Sequence, residues 1–500
     1  MIDKPNIMNQ EQDADQSGSG VKRRKPSEEE NSPAERAVVA ANDEQQLADI
    51  FKLTIDCFEE VFDYLSLKDL TAIGQTCKRM QRIAGHCFQQ NYGAAQAEFW
   101  KEHFCLNEVQ LDCFNHFLQN VEIDGDVFTS DEDASVSDDS DDSDDSDDSD
   151  DLDTKIYPYN QTIDFVTPLK HSTSIKKIEF GDIDLAFSHM DEMKAVLSKA
   201  ESITIDGLYL YQNKFDTLIA VCPNVKHLTL KGLINSDFGY RWMHRIYPAL
   251  EHIELITLIR SKVPELKAFL ELNTQIGQFS VDKGLFWTNR ALYRNSNIKF
   301  DTLAIHDNWK VDFNRFCNLL NELHEIGFYK KLHFYFGYGI QQKHLDHMAS
   351  VKRLVKICAK MNDHVAVGAM TSLEELYVNE SRFITDLKSL PHILSKLQRI
   401  DFYKASCDDI LPFICHAENM KKIKVSSLLS GSHFDEDHKI LDLIAFNKER
   451  EKLVGARKIT IYVKEDVYLA TKWAMKQSDF KLIEMKRITS YDWSHVFELD

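Results

Sequence analysis

From Ile175 onward the chain repeats, and the period of that repeat limits its possible folds more than any other feature. Ile175-Ile178-Phe180 sets a pattern of apolar-x-x-apolar-x-apolar. It returns at Ala200-Ile203-Ile205, Val225-Leu228-Leu230, Leu250-Ile253-Leu255, Ile276-Phe279-Val281 and Phe300-Leu303-Ile305. The closing positions 180, 205, 230, 255, 281 and 305 lie 25, 25, 25, 26 and 24 residues apart. Weaker or displaced copies follow at Tyr329-Leu332-Phe334, Leu373-Leu376-Val378, Leu397-Ile400-Phe402, Met420-Ile423-Val425 and Ala456-Ile459-Ile461. A unit of this length cannot bury its apolar face alone; it must stack on its neighbours. The alternating apolar pair reads as one short strand per unit, and stretches such as DEMKAVLSKA, KFDTLIAVCP and VPELKAFLELNTQI carry helical spacing between the strands. The expectation is an α/β array with a curved parallel sheet backed by returning helices. Steps of 29, 44 and 36 residues between the later copies predict insertions near 340–370 and 426–456, with the last 25 residues capping the open end.

This arrangement resembles a leucine-rich-repeat solenoid over residues 156–500. The resemblance implies that the non-buried strand residues line a concave ligand-binding face, here including His227, Thr229, His252, Glu254, Tyr335, Tyr377, Arg399 and Asp401. It departs from the family where an Asn or Cys usually follows the strand: Ile183, Leu208, Leu233 and Leu258 stand there, with Asn308 the only Asn in the first six copies.

Ahead of the array lies LTIDCFEEVFDYLSLKDLTAIGQTCKRMQRIA, Leu53 to Ala84. Phe58, Val61, Phe62 and Leu65 have the one-face spacing of a helix; Leu67, Leu70, Ile73 and Cys77 form a second stripe. Ser66 stands between them as an N-cap, with Asp69 three residues on. Two helices this short need each other and a partner. The stretch resembles an F-box, the module that docks substrate receptors onto the Skp-type adaptor of SCF ubiquitin ligases. Val61-Phe62-Asp63-Tyr64-Leu65 stands for its core, Ser66-Leu67-Lys68-Asp69-Leu70 follows, and Thr76-Cys77-Lys78-Arg79 matches its later segment. Thr54 replaces the usual proline and Met80 the usual tryptophan. The resemblance implies that Leu53, Phe58, Val61, Phe62, Leu65, Leu67, Leu70 and Cys77 serve adaptor binding.

The remaining segments lie before and between these two. Residues 1–46 are polar and expected to be disordered, with a basic Lys22-Arg23-Arg24-Lys25-Pro26 cluster of the kind read by nuclear import receptors. The F-box-like module takes 47–90, and the apolar residues of 91–120 predict a packed linker helix. Residues 121–155 contain VSDDSDDSDDSDDSDDLD, read as a disordered acidic spacer or as an arm for basic partners. The net charge of −21 is concentrated there: residues 121–153 hold 17 acidic and no basic side chains, leaving the rest only four below neutral. A near-balanced remainder argues against a general nucleic-acid-binding surface.

Ten scattered cysteines with no CxxC pair read as reduced intracellular thiols. The N-terminal stretch has no apolar core for a signal peptide, and no apolar run reaches the length of a membrane span. Cytoplasmic and/or nuclear residence is expected, without membrane association. No GxGxxG, Walker loop, GxSxG or HExxH occurs. The His344/His347 pair reads as a polar helix face, the Cys407, Cys415 and His416 group as structural thiols, and His333 to Tyr338 as a strand. Neither an enzyme nor a cofactor is therefore expected. The leading expectation is a substrate-recognition subunit of an SCF-type ligase, bound through the adaptor to cullin and RING subunits and to an unknown protein substrate. The alternative is a nuclear acidic scaffold for histones or other basic proteins.

Overall fold

The computed structural model describes residues 53–100, 102–124, 165–181, 187–206, 212–232, 240–256, 262–295, 297–307, 311–429, 440–475 and 480–489. The chain divides into two units, Met1–Cys57 and Phe58–Asp500, and of the first only residues 53–57 are described. The expectations for 1–46, for the acidic run after residue 124 and for the positions after the strands at 183, 208, 233, 258 and 308 lie outside the described residues.

Three helices open the described chain: α1 (Ile55–Phe62), α2 (Leu67–Gly74) and α3 (Lys78–Tyr92). Thr54 does by capping what a proline does by rigidity, since Cys57 N donates to its Oγ1 at 3.4 Å. Ser66 caps α2, its Oγ accepting from Asp69 N at 3.1 Å and donating to the Asp69 carboxylate at 2.7 Å. The 3-10 turn Asp112–Phe117 packs beneath α3, with Phe114 stacked on Phe88 at 4.9 Å. The Phe117 ring lies so close over α3 that a Cβ on Gly85 would come within 2.1 Å of it. Any larger residue there would require the Phe117 ring to move.

Among the described residues the sheet has seventeen strands. They are β1 (Gln96–Trp100), β2 (His103–Leu106), β3 (Val109–Gln110), β4 (Asn120–Asp124), β5 (Lys177–Gly181), β6 (Ser202–Asp206), β7 (His227–Lys231), β8 (His252–Ile256) and β9 (Gln278–Asp282). The later strands are β10 (Phe300–Asp307), β11 (Tyr329–Ile340), β12 (Leu354–Met361), β13 (Glu375–Glu380), β14 (Arg399–Ser406), β15 (Lys422–Leu429), β16 (Ile459–Val463) and β17 (Ile483–Arg487). β1 pairs in parallel with β4, and each strand from β4 to β17 then pairs in parallel with the next. β2 and β3 fold back antiparallel outside β1.

The register joins the repeat positions to one another. Ile178, Ile203, Leu228, Ile253, Phe279 and Leu303 lie side by side, as do Phe180, Ile205, Leu230, Leu255, Val281 and Ile305. All are buried, each contributing about 1.5–3 kcal/mol of hydrophobic stabilisation. The helices between the strands are α4 (Val166–His171), α5 (Phe187–Leu197), α6 (Gln212–Val221), α7 (Glu265–Leu272), α8 (Lys283–Thr288), α9 (Arg290–Arg294), α10 (Phe313–Glu325), α11 (Gln342–Met348), α12 (Leu390–Ile393), α13 (Cys407–His416), α14 (Leu443–Glu451) and α15 (Glu465–Ala474). DEMKAVLSKA, KFDTLIAVCP and VPELKAFLELNTQI overlap α5, α6 and α7, where their spacing places them.

Four expectations change. The linker helix over 91–120 does not form: α3 ends at Tyr92, and the chain turns into β1, β2 and β3. Phe99 and Phe104 face the core from paired strands, and Asn107 and Glu108 take positive φ of 50° and 65°, closing a two-residue hairpin turn. The array begins earlier than residue 156, because β1 and β4 are already in register with β5, and residues 121–124 are strand, not acidic spacer. The expected insertion near 340–370 holds a further strand, β12. Near the C-terminus, β17 is one more parallel strand, while residues 490–500 lie outside the described part.

Candidate functional site

Two surfaces could meet partners: the helical module at the start of the chain, and the sheet face turned away from the helices. In the module, Phe58, Phe62, Leu67 and Leu70 are buried within its own core, with the Phe58 and Phe62 rings 5.7 Å apart. Leu65 is half-buried against that core, and Met80 fills the place of the usual tryptophan from α3. Leu53, Ile55 and Val61 are exposed. Of the eight residues expected to serve adaptor binding, the open apolar ones are thus Leu53 and Val61. Cys77 is exposed at the N-cap of α3, and the backbone amide of Met80 holds its thiol below the usual range.

The turn between α1 and α2 is not open on all sides. The last described repeat, α15 and β17, reaches across from more than 390 residues away and binds it. Asp63 accepts from the Tyr468 hydroxyl at 2.8 Å and from Lys472 Nζ at 2.6 Å. Arg487, 1% exposed, donates to the backbone carbonyls of Asp63 at 2.7 Å and Leu65 at 3.0 Å, and also to the Tyr92 hydroxyl. Its guanidinium lies 4.6 Å from the Tyr468 ring centre. Glu465 completes the network: it accepts from Leu67 N at 2.9 Å and from Tyr92, and lies 3.6 Å from Arg487. Leu67 N is the first amide of α2, one of the donors a helix leaves without an internal partner, and a carboxylate there also suits the helix dipole. Burial raises the Tyr468 and Tyr92 pKa values, keeping both hydroxyls protonated as donors.

The other surface is the polar face of the sheet. Its side chains pair across strands, including strands two apart. Lys231 of β7 binds Glu179 of β5 at 2.9 Å and lies 3.3 Å from Asp206 of β6. Burial opposes the charge on Lys231, yet the two carboxylates outweigh it and its pKa is raised. His252 Nε2 lies 2.8 Å from Ser280 Oγ, and Thr229 donates to Glu254 at 3.1 Å. His306 stacks on Tyr335 at 4.6 Å and places its Nε2 3.0 Å from Glu254 Oε1. Burial pulls His252 and His333 down to about 4.

The eight residues expected to line this face do share it, but not as an open row. His227 is exposed; Thr229, His252, Glu254, Tyr335 and Arg399 are half-buried. Tyr377 and Asp401 are buried, which corrects the expectation that they are exposed to a ligand. The Arg399 guanidinium grips Asp401 through two nitrogens at 2.7 and 3.0 Å and also lies 4.8 Å from the Tyr377 ring centre. Lys356 covers the same ring from 4.5 Å. Long cations from adjacent strands therefore lie over shorter neighbours.

Among the described residues, no group of three or more His, Cys, Asp or Glu could hold a metal ion, and no helix is long and apolar enough to cross a membrane. His344 is used structurally, its Nδ1 accepting from Gln341 N at 3.2 Å at the start of α11. Burial raises Cys87 and Cys113 to about 11, and Cys222 and Cys317 to about 12. Such thiols are packing groups.

A family model for the F-box domain matches residues 50–87, the span of α1, α2 and most of α3. The chain thus carries a helical F-box followed by an α/β region with a long, mostly parallel curved sheet. An F-box supports a role as an adaptor subunit of SCF-type complexes, since these domains generally bind Skp1-type adaptors. No curated protein matches the chain.

Proposed function

We propose that the chain is a substrate-recognition subunit of an SCF-type ubiquitin ligase, acting in the cytoplasm, the nucleus or both. The F-box docks a Skp-type adaptor and, through it, cullin and RING subunits. The parallel array is an irregular leucine-rich-repeat solenoid that holds a protein substrate on its polar sheet face, where His227 and its half-buried neighbours offer hydrogen bonds and charge of both signs. The chain performs no reaction of its own; it raises the rate of ubiquitin transfer by holding the substrate near a separate conjugating enzyme. The observation that carries this reading is the F-box match over residues 50–87, set directly before a repeat array that presents a polar face.

Binding of a purified Skp-type adaptor to the intact chain tests it. Phe62 and Leu65 are poor positions for a control, because Phe62 is core and its loss would unfold the module. Val61, 55% exposed, is the better one. Val61→Asp is expected to weaken adaptor binding about a hundredfold while leaving the thermal midpoint unchanged. An intact chain that binds no adaptor overturns the proposal.

A further inference from the structure

We propose that the adaptor-docking surface extends beyond the F-box onto the last described helix, where Trp473 of α15 joins Val61 and Tyr64 in one apolar surface that the Skp-type adaptor covers. The inference rests on the adaptor docking proposed above and adds a contact some 400 positions away from the F-box in sequence.

Trp473 is 68% exposed, an unusual position for the largest apolar side chain. It is not isolated. Its ring meets the Tyr64 ring edge-on, with centres 5.4 Å apart and planes at 66°. Tyr64 in turn follows Val61 around the end of α1, its amide donating to the Val61 carbonyl at 3.1 Å. Two exposed apolar side chains, Val61 of the F-box and Trp473 of α15, and the half-buried Tyr64 ring that Trp473 meets are therefore carried by the two distant segments that join here.

That joint is held in place. The residue before Trp473, Lys472, binds the Asp63 carboxylate at 2.6 Å and lies 5.2 Å from the Tyr64 ring centre. One turn back, Tyr468 binds the same carboxylate at 2.8 Å. Arg487 fixes the backbone of Asp63 and Leu65 from β17. The tryptophan is thus presented on a fixed helix beside a fixed turn, so docking against it costs little ordering entropy. An exposed, pre-positioned Trp beside a Tyr is the kind of anchor that dominates binding energy at interfaces.

Continuity selects the occupant. Val61 projects from the first F-box helix, and the Trp473–Tyr64 pair extends the apolar surface that begins there. A partner seated on the exposed side of α1 at Val61 reaches Tyr64 and Trp473 next. A protein substrate held on the polar sheet face has no such continuity with α1.

The test uses the full chain and a purified Skp-type adaptor, with affinity read by calorimetry. Trp473→Ala is expected to weaken binding about thirtyfold and Trp473→Phe by less, with the thermal midpoint unchanged because the side chain is exposed. Ile246→Ala, at a position 66% exposed and far in sequence from both sides of the joint, serves as the control and leaves affinity unchanged. If the intact chain binds and Trp473→Ala binds equally well, this inference fails while the proposed function stands. If the intact chain binds no adaptor, the proposed function fails and the inference with it. A substitution that alters the oligomeric state of the chain alone, without changing adaptor affinity, assigns the surface to a second copy and also overturns the inference.

Discussion

Arg487→Met is the substitution that most directly tests how the end of the array meets the F-box. Methionine keeps much of the stem and removes every donor. The carbonyls of Asp63 and Leu65 lose donors at 2.7 and 3.0 Å, the Tyr92 hydroxyl loses one, and Glu465 loses the cation 3.6 Å away. A stranded buried acceptor costs about 1–3 kcal/mol, and breaking a buried charged contact by removing one partner costs about 3–5 kcal/mol in total. The loss falls on one joint, because each unit of a stacked array touches only its neighbours. About 3–4 kcal/mol there multiplies the open population by roughly two to three decades, and amide exchange that follows that population accelerates equally. Hydrogen exchange read by mass spectrometry on peptides from 58–92 and 459–489 measures it, with 354–402 as the internal reference. Both end segments are expected to exchange faster and the reference to stay unchanged. Asp63→Asn is the milder companion: it removes the charge facing Lys472, a partly exposed pair worth about 1 kcal/mol or less, and leaves one accepting oxygen for Tyr468 and Lys472 together. If exchange rises in β17 but not in the F-box peptides, the two ends do not bear on each other and the reasoning is wrong.

Two further outcomes follow from titrating groups. His252 and His333 are drawn from the usual 6.5 down to about 4 by burial, so the folded chain resists protons that the unfolded chain accepts. Stability is full above pH 6.5 and falls as pH drops toward 4, by about 3 kcal/mol for each histidine. The thermal midpoint of a His252→Gln, His333→Gln double variant is expected to fall less over that interval; an identical slope refutes the assignment. Among the thiols, Cys77 is expected to react with iodoacetamide at pH 7.5 at least a hundredfold faster than Cys87, Cys113, Cys222 or Cys317. Peptide mass spectrometry over time reads this, and equal labelling of Cys222 would contradict the packing around it.

The repeat was legible where the apolar triplet is made of large residues in polar surroundings. The same triplet occurs at Ala94-Ala97-Phe99, Leu118-Val121-Ile123, Leu354-Ile357-Ala359 and Phe480-Ile483-Met485, and each of these marks a strand. Small alanines weaken the copy that ends at Phe99, while Glu122 and Asp124 disguise the one that ends at Ile123 as the start of the acidic run. The copy that ends at Ala359 divides the 44-residue step between Phe334 and Val378 into 25 and 19, so the step is two units and not an insertion. The partial burial of the polar face had no local signature either: whether Tyr377 is open depends on Lys356 of the strand before it and Arg399 of the strand after it, which is a matter of register. The joint between Asp63 and Arg487 was beyond reach for the same reason at larger scale. Residues 424 apart carry no shared periodicity, and Arg487 in isolation reads as one more surface cation.

That joint bears directly on how a receptor of the proposed kind could work. Proximity raises a reaction rate only so far as the distance between the partners is held. In a stacked array each unit is positioned by the one before it, so small displacements accumulate along the strands and would be largest at the free end. Here the far end is not free. β1 begins four residues after the last residue of α3, and β17 returns to the α1–α2 turn, so both ends of the array are referred to the same helical module. The polar residues that fix this return, Glu465, Tyr468, Lys472 and Arg487, touch neither the sheet's polar face nor the exposed side of Val61 in any hydrogen bond described above. Their substitution is therefore expected to weaken adaptor binding less than Trp473→Ala does, since it loosens the Trp473–Tyr64 placement without removing either ring, and to lower the rate of ubiquitin transfer to a bound substrate.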